Sequence, residues 1–123
     1  MATAKALEKL AKEAALQSEK IDSMPEEDKA LALRLHEIVA KVAPELTPKL
    51  YYGQPGWAKD GKVVVFFRSG RQDKLRYSTL GVSPLARLDD ASGLWPTSYA
   101  LADELTDEAW NTVEDLVRKA ISE

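Results

Sequence analysis

Residues 56–70, "GWAKDGKVVVFFRSG", decide the fold class. Asp60-Gly61 sits between two strand-like runs. Asp-Gly is a favoured type I′ hairpin turn, because both central positions of that turn need positive φ. Val63 to Phe67 is apolar at every position, the mark of a central strand covered on both sides. Upstream, "KLYY" (49–52) reads as a short strand that Gly53 and Pro55 interrupt, since proline donates no ladder bond and glycine tolerates unusual dihedrals. Downstream, "KLRYSTLGV" (74–82) supplies another strand, joined through a polar turn at Gly70, and "WPTSYAL" (95–101) a last one.

Helical signals flank these strands. Residues 4–19 are rich in Ala, Lys, Glu and Leu, with Leu7, Leu10, Ala11 and Ala14 on one narrow stripe. Ser23-Met24-Pro25-Glu26 matches a capping box, with proline in the first turn. The helix it opens runs to about Ala43 and stops before Pro44, with Leu31, Leu35, Ile38, Val39 and Val42 as its core stripe. Leu33 lies on the opposite side and calls for a cover, either the N-terminal helix or a second subunit. Ser83-Pro84 reads as the start of a short helix ending near Asp89-Asp90. Thr106 caps a final helix with Asp107 and Glu108 in its first turn, where carboxylates oppose the positive dipole end. This order predicts an α+β fold: a two-layer sandwich of a mainly antiparallel sheet and long helices. Residues 1–20 are expected to form a helical N-terminal extension and residues 21–123 the α/β domain.

Composition narrows the chemistry. The 123 residues suit one domain with one core. The chain has no cysteine, so thiolate nucleophiles, disulfides and cysteine-ligated metals are excluded. His36 is the one histidine, which rules out a multi-histidine metal site. No nucleophile-elbow, Walker, Rossmann or zinc spacing is present, and the reading is of a non-enzymatic protein. No apolar run approaches a bilayer span and the start lacks a secretory pattern, so the expected location is the cytoplasm. A net charge of −3 argues against whole-chain attraction to nucleic acid or membrane. A local patch remains: Lys59, Lys62, Arg68, Arg71, Lys74 and Arg76 crowd the hairpins, where they could meet a protein or nucleic-acid partner.

"YYGQPGW" (51–57) has two readings. In one, Tyr52, Gln54 and Trp57 form a small-ligand pocket with Arg76, closed by Trp95, with Gly53 and Gly56 letting a ligand approach the backbone. In the other the stretch is a structural corner, bent at Gly53 and Pro55, whose aromatic rings pack into the core.

Pro25-Glu26, Ala43-Pro44, Tyr52-Gly53-Gln54-Pro55, Trp57, Gly61-Lys62 and Phe66-Phe67, together with "RYSTLG" and "LDDASGLWPTSYAL", give the chain a further likeness. It resembles the YdhG-like family of small bacterial domains over roughly residues 21–121. The resemblance implies a frataxin-like α/β domain. It also implies the function of one Bacillus relative, an intracellular iron chaperone. On that expectation Glu26, Glu27 and Asp28, a carboxylate cluster, are the candidate ligands for weakly bound iron.

Overall fold

The computed structural model describes residues 3–122. It is α+β, with three helices and a five-stranded sheet among those residues. In chain order these are α1 (Ala4–Asp22), α2 (Glu26–Val42), β1 (Thr47–Tyr51), β2 (Gln54–Lys59), β3 (Lys62–Arg68), β4 (Ser78–Val82), β5 (Ser98–Leu101) and α3 (Asp107–Ala120). The strands lie in sequence order, each antiparallel to the next, so β3 is central as expected. No helix among the described residues is long and apolar enough to cross a membrane.

Two tight turns build the first half of the sheet. Asp60 and Gly61 sit at φ 51° and 80°, the type I′ turn that the sequence predicts. Tyr52 and Gly53 repeat it at φ 50° and 79°, closed by the pair Tyr51↔Gln54. The corner at Gly53 is therefore a second hairpin turn. Gln54 stands in a regular ladder, contrary to the expected bend, because glycine here supplies positive φ to a turn and does not break a strand.

The register sorts the side chains. Trp57, Val65, Phe67, Leu80, Val82 and Leu101 pack with Ile21, Leu31, Leu35, Ile38, Val39, Val113 and Val117 in one core. A bulge between Trp57 and Ala58 shifts the β2–β3 pairing, so that Trp57 faces Val65 and Gly56 faces Phe66. Tyr51, Gly56, Phe66 and Gly81 consequently share the other side of the sheet, where Tyr51 and Phe66 are half-buried.

Several helix expectations need correction. Ser23 does not cap α2. It ends α1, its Oγ donating to the Lys20 carbonyl at 2.6 Å, while Pro25 takes the N-cap position without a side-chain bond. Ser83-Pro84 opens a turn and no helix follows, since Ser83 Oγ accepts from the near Leu85 N–H at 3.2 Å. Leu33 stays 43% exposed. The N-terminal helix instead packs along β1 and β2 and buries Gln17 and Ile21. A boundary at residue 20 would cut that helix in its last turn, and residues 1, 2 and 123 of the expected division lie outside the described residues. Thr106 does cap α3, accepting from the Ala109 N–H at 3.1 Å.

Candidate functional site

The structure separates the residues expected to share a pocket. Tyr52 is 89% exposed at a hairpin tip, whereas Trp57 is 1% exposed in the core. The Trp57 indole N–H donates to His36 Nδ1 at 3.2 Å, which gives the lone histidine a structural partner. Gln54 is half-buried in the ladder. Arg76 stacks on exposed Tyr77, 5.2 Å from the ring centroid. Trp95 lies before β5, beside a hollow with Leu94, Pro96 and Tyr99. Tyr52, Trp57 and Trp95 thus border no common cavity among the described residues.

The carboxylates at the start of α2 also divide. Glu26 points to solvent, the half-exposed Glu27 pairs with Arg71 Nε at 3.5 Å, and Asp28 is 1% exposed. It accepts from Ser69 Oγ at 2.6 Å, from the Arg71 backbone N–H at 3.0 Å and from Arg71 Nη1 at 2.6 Å. Burial pushes the Asp28 carboxyl up, yet these bonds and the Arg71 charge outweigh it and hold the group below the ordinary 3.8. Arg71 continues to Asp103 through two bonds of 2.7 Å, and with Asp28 this keeps its guanidinium firmly protonated. Asp103 is held low by the same contact. The cluster is a clamp joining α2, the β3–β4 connection and the segment before α3. Asp28 therefore has no free oxygen face to offer iron, and no group of three or more His, Asp or Glu side chains gathers to hold a metal among the described residues.

What the structure does assemble is an aromatic surface on the side of the sheet opposite the core. Phe66 stands in register between Gly56 on β2 and Gly81 on β4. A Cβ on Gly81 would lie 2.2 Å from the end of the Phe66 ring, so the ring lies flat across that strand and only glycine permits it. Tyr51 packs on Phe66 with centroids 5.1 Å apart and planes at 35°, and Tyr52 meets Tyr51 edge-on at 4.7 Å. Beside them opens a hollow of about 490 Å³ lined in part by Lys49, Tyr51, Tyr52, Lys62, Val63 and Leu85. Lys49 Nζ spans it to donate to the Gly61 carbonyl at 3.2 Å.

Charge is also uneven along the chain. Residues 47–87 carry eight basic and two acidic side chains, against nine basic and eighteen acidic in the rest of the chain. Sequence reasoning noted the basic hairpins but missed the platform. Counting back from the Asp60-Gly61 turn without a bulge places Phe66 opposite Pro55 and hence on the core side; one extra residue reverses the assignment.

No protein-family model, curated protein or solved structure matches the chain, so the YdhG-like resemblance stands as an expectation and the site rests on its own geometry.

Proposed function

We propose that the protein is a non-enzymatic binding module whose aromatic sheet face takes single-stranded nucleic acid. The observation that carries this reading is the Phe66 ring laid flat over Gly81 and flanked by Tyr51. A flat, part-exposed ring is a stacking surface for a base, and every base offers a π face, so recognition of this kind tolerates sequence. Within residues 47–87, Arg68 and Arg71 are committed to carboxylates, but Lys49, Lys59, Lys62, Lys74, Arg76 and Arg87 make no ion pair among the described residues and supply attraction for phosphates although the whole chain is acidic. The reading takes the fold as a two-layer sandwich of the frataxin-like, YdhG-like kind, supported by a core built from one side of the sheet. It replaces the iron-chaperone expectation because the Asp28 carboxylate is committed to Ser69 and Arg71.

The test is fluorescence anisotropy with a labelled fifteen-nucleotide oligothymidine at two salt concentrations. Binding should be micromolar at low salt and weaken steeply as salt rises. Phe66→Leu keeps an apolar side chain but removes the stacking face, and should weaken binding about tenfold or more, since each stacked base contributes about 1–3 kcal/mol. Tyr52→Ser changes an exposed tip and should weaken binding without altering the melting temperature. An oligonucleotide affinity indifferent to both substitutions, or matched by polyglutamate, would overturn the proposal.

A further inference from the structure

The two edges of the sheet are finished differently. β1 carries Pro48 and Lys49, both deterrents to edge pairing, and α1 packs along it. β5, Ser98–Leu101, has neither proline nor charge. Its hydrogen-bond phase follows from one contact. The Val82 N–H donates to the Thr97 carbonyl at 2.9 Å, and the register continues Gly81↔Ser98, Leu80↔Tyr99, Thr79↔Ala100. Alternation along an antiparallel pair therefore turns the polar groups of Thr97, Tyr99 and Leu101 toward β4 and those of Ser98 and Ala100 outward.

An apolar hollow of about 250 Å³ runs beside this edge, between β5 and α3, lined mainly by Leu80, Tyr99, Leu101, Leu105, Val113 and Leu116. A second hollow shares Tyr99 and Leu116 with it and adds Leu94, which is 81% exposed, and Trp95. Residues 88–117 hold eight acidic side chains and no basic one. Asp103, Glu114 and Asp115 are paired with basic residues; Asp89, Asp90, Glu104, Asp107 and Glu108 make no ion pair among the described residues. They precede β5 on one side and follow it on the other. Lys119, from the end of α3, is the one cation lining either hollow among the described residues.

We infer that β5 is a docking edge for an extended segment of a partner protein, which adds as a sixth antiparallel strand. The open N–H and C=O groups of Ser98 and Ala100 would complete its ladder. Apolar side chains at alternate positions would enter the hollow, and basic residues at the two ends would meet the acidic flanks. This surface is separate from the aromatic face and does not depend on the nucleic-acid reading.

The probe is a blocked peptide, Lys-Arg-Val-Ser-Leu-Ser-Val-Arg-Lys, titrated into the isotopically labelled full chain. The largest amide shifts should fall on Ser98, Ala100 and the facing residues of α3. Glutamate in place of the basic ends should weaken binding at least tenfold. Methylating the peptide nitrogens that face β5 should abolish it. Ala100→Pro removes one outward donor while sparing the β4 ladder, and should weaken binding at least tenfold; the methylated peptide gives the same answer should that variant fold poorly. No binding at millimolar peptide, unchanged affinity after methylation, or shifts clustered elsewhere would overturn the inference. A concentration-dependent dimer in sedimentation, abolished by Ala100→Pro, would also overturn it by assigning the edge to a second copy.

Discussion

Asp28 is a charge that the fold removes from water and then surrounds with donors, and its removal should be felt far from α2. Asp28→Asn leaves Arg71 without its buried partner and weakens the bonds from Ser69 and the Arg71 backbone, and is expected to cost about 3 kcal/mol. The pH dependence has a defined sign. The carboxyl titrates below 3.8 in the folded chain and near that value when unfolded, so its contribution is fully present above about pH 4–5 and is lost as pH falls through the folded value. Urea unfolding from pH 7 to pH 2 should show a steeper acid loss for the wild type than for Asp28→Asn. Asp90, Asp103 and Glu114, also held low, supply the slope that remains. Parallel curves for the two proteins would remove Asp28 from the acid transition. None of this clamp was legible in the sequence. Helical periodicity shows Asp28 directly after two exposed glutamates, whereas its partners Ser69 and Arg71, and the Asp103 that holds Arg71, come from segments brought near only by the folded sheet.

At the scale of elements, the sequence disclosed the turns and caps whose chemistry is local and concealed what depends on pairing. Asp60-Gly61 and Thr106 could be read because turn dihedrals and N-caps are set within three or four residues. The bulge opposite Trp57, the flat ring of Phe66 and the inward turn of α1 could not, because each depends on a neighbour remote in sequence. The case of α1 is testable. Residues 3–9 are exposed, whereas Gln17 is buried and its Nε2 donates to the Gly56 carbonyl at 2.7 Å. Deleting residues 1–9 should shift the melting temperature by no more than about 2 °C. Gln17→Ala removes this buried long-range bond and should cost about 0.5–1.5 kcal/mol. Equal effects of the two changes would mean that α1 acts as a single block and that Gln17 does not anchor it.

The molecule as a whole has two chemically unlike regions: a basic run of chain that includes the aromatic face, and an acidic run around β5 and α3. An acidic total of −3 hides this division, which is why composition argued against nucleic acid whereas the proposed reading rests on a local surplus of basic side chains. The strand order β1-β2-β3-β4-β5 has a consequence of another kind, in time. Each strand pairs with the one made just before it, so two hairpins can close while the rest of the chain is still being synthesised. Loop-closure entropy is then met in small steps, a low-contact-order route for a sheet protein. In stopped-flow refolding the main tryptophan phase should be complete within about 100 ms; a main phase lasting many seconds would count against hairpin-first assembly. α3 emerges after all five strands, and until Val113 and Val117 arrive the apolar side of the sheet is incompletely covered. A nascent chain stalled before Asp107 is therefore the form that chaperones and proteases should find most readily.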